Sequence, residues 1–262
     1  MAQKTEKRAK EILHLLLHQG TTSVEQLAEH FQTSSTSVRR DLARLEQQSL
    51  VHRTHGGAML AGQIYKPFRF DATFTEREQR FQREKQLIGT KTATLIGDGE
   101  TIGLTAGTTT TQVARALRGR KDLRVLTNAV NISLELSAFE GPQITLTGGC
   151  MIWPGAFSLT GPTAHETIEG FVLDRIILGV TGIDVEHGAT MIEIEEAAVS
   201  RVMVRHAREV IVVADSSKVG MTSRAVICGI QKINVLITDN GIHADTRTEL
   251  ERHGVRILIA DL

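Results

Sequence analysis

Seven short apolar runs constrain this chain more than any other feature. They are Thr101–Leu104, Leu123–Thr127, Gln143–Thr147, Arg175–Val180, Glu209–Ala214, Val235–Thr238 and Val255–Ile259. Stretches of helical character lie between them, at about 110–118, 129–139, 193–208 and 243–253. Strands that alternate with helices pair in parallel, because each crossover needs the length of a helix, and the helices then cover both sheet faces. The expected class is α/β, with a mostly parallel, doubly wound sheet in the C-terminal part.

The first 58 residues follow a different rhythm. Ala9, Ile12, Leu13, Leu16 and Leu17 recur at helical spacing until Gln19-Gly20 stops the run. Ser23 followed by Gln26 is a capping box, and the helix it opens would bury Val24, Leu27, Ala28 and Phe31. After a polar Gln32-Thr33 turn, Ser34 can cap a third helix whose inner face is Val38, Leu42 and Leu45. Leu50–Arg53 and His55–Ala58, broken by Gly56-Gly57, read as a two-stranded wing. The expected organisation is an N-terminal winged helix-turn-helix domain at 1–58, a linker at 59–75 and a larger domain at 76–262. A charged helical segment from Glu76 to Leu95 leads into the larger domain.

In a helix-turn-helix the second helix enters the major groove by its N-terminal part. With Val38, Leu42 and Leu45 turned inward, Thr36, Arg40 and Ala43 face outward, flanked by Ser37, Arg39 and Arg44. Hydroxyls suit phosphate oxygens, and arginine forks onto guanine or phosphate. Arg53 and Thr54 in the wing, with His55 beside them, are placed for an adjacent backbone or minor groove. The whole chain balances 30 Lys+Arg against 30 Asp+Glu, so any DNA footprint is local. Between Ser34 and Ala58 four arginines outweigh Asp41 and Glu46 by +2. Spacing alone leaves an ordinary solvated helix face as an equal reading. One Trp and one Tyr argue against stacking platforms for single strands.

Ser34 to Glu46, with its Arg39-Arg40-Asp41-Leu42 core, continued by Arg53-Thr54-His55-Gly56-Gly57-Ala58, resembles the winged helix-turn-helix signature of the DeoR family. These are bacterial regulators of sugar metabolism. The resemblance implies double-stranded operator DNA as a partner, with Ser34, Ser37, Arg39 and Arg40 in the contacting segment.

In the larger domain the densest polar constellation is Thr105-Ala106-Gly107-Thr108-Thr109-Thr110-Thr111, which leaves the first strand and enters a helix. Glycine lets the backbone approach an anion, and threonine hydroxyls and the helix-start N–H groups donate to it. The alternative is a threonine-rich cap without a ligand. Further polar groups fall at strand ends, the edge where open parallel sheets bind ligands: Asn128, Gly148, Gly149, Asp184 and Lys218. Each has a structural alternative as a cap, a turn or a surface charge.

The segments 107–110, 127–128, 148–149, 180–184, 214–220 and 237–239 resemble the DeoR-family sensor domain. The resemblance implies a fold shared with ribose-5-phosphate isomerase and glucosamine-6-phosphate deaminase, and a phosphorylated sugar as effector. It matches Gly107–Thr110 to a phosphate-binding loop and sets Ile192–Ala198 near the isomerase base.

An isomerase or deaminase is the competing class. It needs a carboxylate base beside the carbon-bound proton, and Glu193, Glu195 and Glu196 are the candidates. Acids at a helix start are more simply a solvated complement to the macrodipole, and an enzyme leaves residues 1–58 without a role. The expectation is a regulator, not an enzyme. Two recognition helices must meet half-sites about 34 Å apart, which implies a homodimer or homotetramer. Cys150 and Cys228 form no CxxC pair and read as buried thiols, so neither metal nor cofactor is expected. No apolar run approaches the roughly 20 residues of a membrane span, and the charged N-terminus has no signal-peptide core. A cytoplasmic protein is expected.

Overall fold

A computed structural model describes residues 8–9, 11–13, 15–16, 21–47, 51–54, 56–60, 70–138, 140–153 and 157–261. The chain divides into two compact units, Met1–Arg69 and Phe70–Leu262.

The first unit holds helical positions 8, 9, 11–13, 15 and 16 (α1), β1 (Thr21–Ser23), α2 (Val24–His30), α3 (Ser35–Gln47), β2 (Val51–Thr54) and β3 (Gly57–Leu60). The capping box forms as the residues dictate: Gln26 N donates to Ser23 Oγ at 3.1 Å, and Ser23 N donates to Gln26 Oε1 at 3.0 Å. Ser34 caps α3 by accepting from Ser37 N at 3.2 Å. Ile12, Leu16, Val24, Leu27, Val38, Leu42, Leu45, Val51 and Ala58 make the core. β3 pairs antiparallel with both β2 and β1. The wing hairpin is therefore tied to the short strand before α2, a pairing that three residues gave no sign of. Gly57 makes the tie possible, since a Cβ there would lie 2.5 Å from the Thr22 carbonyl oxygen. Leu17, Gln19-Gly20, Leu50 and His55 lie outside the described residues.

The second unit begins with α4 (Phe70–Gln79) and α5 (Gln82–Ala93). The charged segment expected as one helix is broken at Arg80-Phe81, where Phe81 takes a left-handed conformation (φ 55°). Of the expected linker 59–75, residues 59–60 complete β3 and 70–75 begin α4.

Then follow β4 (Thr101–Leu104), α6 (Thr108–Ala116), β5 (Arg124–Thr127), α7 (Val130–Ser137), β6 (Gln143–Leu146), β7 (Cys150–Trp153), β8 (Ser158–Thr160) and α8 (Pro162–Glu169). After these come β9 (Leu173–Gly179), β10 (Gly182–Asp184), β11 (Gly188–Met191), α9 (Ile194–Arg205), β12 (Ala207–Val213), β13 (Ala225–Cys228), β14 (Val235–Thr238), α10 (Ala244–Arg252) and β15 (Arg256–Ile259).

Seven strands form one parallel sheet in the order β15-β14-β12-β9-β4-β5-β6. They are the seven apolar runs, with ends shifted by two residues at most. Successive residues of the central strands point to opposite faces. Ile176, Leu178, Val212 and Leu236 pack with α8, α9 and α10, whereas Ile177, Ile211, Val213 and Ile237 pack with α5, α6 and α7. Burial on both faces is why these strands read as nearly unbroken apolar runs. Outside the main sheet, β7 pairs with β8, and β11 pairs with β10 and β13, all antiparallel.

Candidate functional site

α3 presents the surface expected of a recognition helix. Val38, Leu42 and Leu45 are buried. Ser34, Thr36, Arg39, Arg40 and Arg44 are exposed, and Ser37 is half-buried. The inner face also carries Asp41, 5% exposed, whose carboxylate accepts from Arg8 Nε of α1 at 2.6 Å. The helix is thus held by an ion pair as well as by apolar packing, with its own three arginines turned outward. Arg53 belongs to β2, but its side chain, like all of His55, lies outside the described residues.

The second unit contains a cleft open to solvent at the carboxyl end of the parallel strands. Its walls come from chain-distant segments: Ala106–Thr109 after β4, Gly179–Thr181 after β9, and Asp215, Ser217 and Lys218 after β12. Met191 and Glu196 add a side wall. The turn between α4 and α5 supplies Phe74, Arg77, Arg80, Phe81 and Lys85. Thr108 and Thr109 open α6, so N–H groups of its first turn stand at the cleft without intrahelical acceptors. Phe74 packs edge-on against Phe157, with centroids 5.1 Å apart, and fixes α4 against the sheet domain.

The electrostatics are lopsided. Arg77, Arg80, Lys85 and Lys218 bring four cations to the cleft against Asp215 and Glu196. Burial lowers the Lys85 pKa, an effect that the nearby Asp215 charge opposes and the Lys218 and Arg77 charges reinforce. Burial likewise lowers that of Arg77, against the opposing pull of Glu196. Burial raises the Glu196 pKa, although a hydrogen bond from Ser158 and the Arg77 charge work the other way. A cleft that gathers four cations and a helix start is suited to an anion; Glu196 beside it can accept from a hydroxyl group, whereas Asp215, 1% exposed, already accepts from Ser217 Oγ.

Of the effector-site candidates offered by sequence, Gly107, Thr108, Thr109 and Lys218 line the cleft. Thr105, Thr110, Asn128, Gly148, Gly149 and Asp184 do not line it, and the polar side chains among them are committed to other partners. Thr105 is 2% exposed and its hydroxyl accepts from Gly179 N at 2.9 Å. Thr110 is fully buried and donates to Gly107 O at 3.0 Å. Asn128, 2% exposed, accepts from Ala106 N at 3.2 Å and donates to Ser158 Oγ at 3.0 Å and Leu159 O at 3.2 Å. These three hold the loop from behind. Gly148 and Gly149 serve the approach to the β7–β8 hairpin, where a Cβ on Gly149 (φ 126°) would lie 2.4 Å from Thr160 O. Asp184 closes a local turn. Burial works against its charge, but bonds from Thr222 and from the N–H groups of His187 and Glu186 hold its carboxyl below the ordinary range.

The sequence reading missed the α4–α5 turn. One signal was present: Lys85, Ile88, Gly89, Thr92 and Ala93 form the buried stripe of α5, so a lysine stands in an otherwise small and apolar series. Glu193 and Glu195 are exposed at the start of α9, as a solvated helix end requires, whereas Glu196 is half-buried in the cleft wall. Cys228 is buried, and burial pushes its thiol up to about 11. Cys150, expected to be buried, is exposed at the start of β7. Among the described residues no group of three or more His, Cys, Asp or Glu is placed to hold a metal ion. No described helix is long and apolar enough to cross a membrane.

Comparison with known proteins gives two family matches. Residues 8–63 match the DeoR-like helix-turn-helix domain, and residues 80–240 match the DeoR C terminal sensor domain. The chain belongs to the DeoR family. Curated DeoR-type relatives align with it end to end. The transcriptional repressor AccR of Agrobacterium fabrum is 34% identical over 258 residues, covering 98% of both chains. The HTH-type transcriptional regulator GlpR of Haloferax volcanii is 32% identical over 251 residues, covering 96% of both. The glycerol-3-phosphate regulon repressor of Escherichia coli is 33% identical over 236 residues, covering 90% of this chain and 91% of that one. A DeoR-family protein is a transcriptional regulator and not an enzyme, which sets the isomerase and deaminase reading aside.

Proposed function

We propose that this DeoR-family regulator represses genes of sugar metabolism and that a phosphorylated sugar, bound in the cleft of the second unit, sets its hold on operator DNA. The observation that carries the reading is the convergence of four cationic side chains with the Gly107–Thr109 helix start in one solvent-open cleft. The phosphate sits on that loop with Lys218 and Arg80, and Glu196 takes a sugar hydroxyl. The name of the Escherichia coli relative, a glycerol-3-phosphate regulon repressor, supports a small phosphorylated effector. The DNA-binding surface is Ser34, Thr36, Ser37, Arg39, Arg40 and Arg44 of α3, joined by Arg53 and His55 of the wing. Residues 1–58 bind DNA, 76–262 sense, and the protein works as a cytoplasmic homodimer or homotetramer that sets two recognition helices on one operator.

Regulation is thermodynamic linkage. The effector prefers one arrangement of the assembly, and a coupling of about 1–3 kcal/mol changes DNA affinity about 5–150-fold. Calorimetric titration of the full chain with phosphorylated sugars and their unphosphorylated counterparts tests the reading. Binding is expected of the phosphorylated compounds alone, and Lys218→Glu should abolish it while leaving the thermal stability of the N-terminal unit unchanged. Equal binding of both series, or an unaltered titration of Lys218→Glu, overturns the assignment.

A further inference from the structure

The Lys85 side chain is 4% exposed although it lines the cleft. Its ammonium donates to Arg77 O in the last turn of α4 and, at 2.6 Å, to Arg80 O just beyond it. No carboxylate among the described residues bonds it. Asp215 and Glu78 act on it only through their charge, against Arg77 and Lys218. A buried ammonium bonded by carbonyls alone, without a carboxylate in contact, has unmet demand for negative charge, and an anion in the cleft it lines stabilises its charged, carbonyl-bonded form. The turn it supports is itself unfavourable, because Phe81 adopts the left-handed conformation that a side chain with a Cβ resists. The chain enters the second unit through α4, which begins at Phe70, directly after the first unit ends at Arg69.

We propose that Lys85 is the positioning residue of the switch: an anion in the cleft holds its ammonium on the Arg77 and Arg80 carbonyls and thereby fixes α4, the helix that continues the chain from the DNA-binding unit. The proposal rests on the reading of the cleft as an anion site. It gives α4 two states, seated and loosened, and the bound anion favours the seated one through a residue that sequence spacing marks as part of a helix core. Arg77 lies in the last turn of α4 and Arg80 directly follows it, so seating the helix also completes the cationic wall.

Hydrogen–deuterium exchange of the full chain tests the coupling, with inorganic phosphate as the probe against sodium chloride at matched ionic strength. In the wild type, phosphate is expected to slow exchange both at 105–111 and at 70–79, the latter by at least about fivefold, the lower end of ordinary coupling. In Lys85→Met, phosphate raised until 105–111 is protected to the same degree should leave 70–79 unchanged. If 70–79 is slowed as in the wild type, Lys85 only supports the turn and the proposal is overturned. If phosphate slows neither segment in the wild type, the cleft reading itself fails. Should Lys85→Met not fold, Phe81→Asn serves instead, because asparagine accepts the left-handed conformation. That variant should slow exchange at 70–79 before phosphate is added and shrink the effect of phosphate, and an undiminished phosphate effect overturns the proposal.

Discussion

Replacing Asn128 with alanine tests whether the loop that opens α6 is held from behind. The side chain is 2% exposed and makes three bonds, to Ala106 N, Ser158 Oγ and Leu159 O. A buried hydrogen bond contributes about 1 kcal/mol net, and an orphaned partner costs more than its bond was worth. The three together set a loss of about 3 kcal/mol. With a urea dependence of about 2 kcal/mol per molar, the unfolding midpoint of the second unit falls by roughly 1.5 M. The chain has one tryptophan, Trp153, and it belongs to that unit, so its fluorescence follows the transition. Asn128→Asp keeps an acceptor for Ala106 N but sets a buried carboxylate oxygen against the Leu159 carbonyl, and at neutral pH should cost at least as much as alanine. Because the loop would no longer be fixed, phosphate affinity should drop in both variants. An alanine variant whose midpoint moves by less than about 0.3 M, well inside the loss of one ordinary hydrogen bond, would show that the loop holds its shape without Asn128.

Three further outcomes are expected. Arg39→Ala and Arg40→Ala should each weaken operator binding in electrophoretic titrations and reduce the salt slope by about 0.9 for every phosphate no longer neutralised, with effector binding intact; an unchanged slope and affinity would remove α3 as the reading helix. Gly57→Ala drives a Cβ against the Thr22 carbonyl at 2.5 Å, so the first unit should lose about 1–3 kcal/mol by overpacking while the tryptophan-monitored transition stays in place; a wild-type melt for the first unit contradicts this. Burial raises the Glu196 pKa in the fold, so its charge at neutral pH opposes folding, and that opposition fades as pH falls through the raised value. Glu196→Gln should therefore melt above the wild type at about pH 7, with the gap closing toward the ordinary glutamate value of about 4.3; a Gln variant less stable at neutral pH reverses the sign and refutes the reasoning.

The main sheet was legible because parallel strands buried on both faces carry nearly continuous Val, Ile and Leu. Recognition of α3 rested on Val38, Leu42 and Leu45 at helical spacing, and these three are its core. Shorter elements left no such mark. α8 buries only Ala164 and Ile168, too few positions to show a period, and β8 and β10 have three residues each. At the cleft, polarity at a strand end proved ambiguous in kind. Thr105, Thr110 and Asn128 are the residue types a ligand needs and equally those that tie a loop to its own backbone, and only the identity of the partner separates the two uses. The α4–α5 wall was hidden for another reason. Arg77, Arg80 and Lys85 gain their meaning from tertiary packing across the sheet edge, and in sequence they belong to a run that looks like any charged helix.

The cleft has no single owner in the chain. Its lining comes from separate crossings of one sheet, each anchored by its own strand, so a change in the β12 loop need not disturb the β4 loop or the α4 wall. On the function proposed above, a scaffold divided in this way can exchange one metabolite for another piecemeal, retaining its grip on the charged end while the opposite rim is rewritten, with no demand on α3 at all.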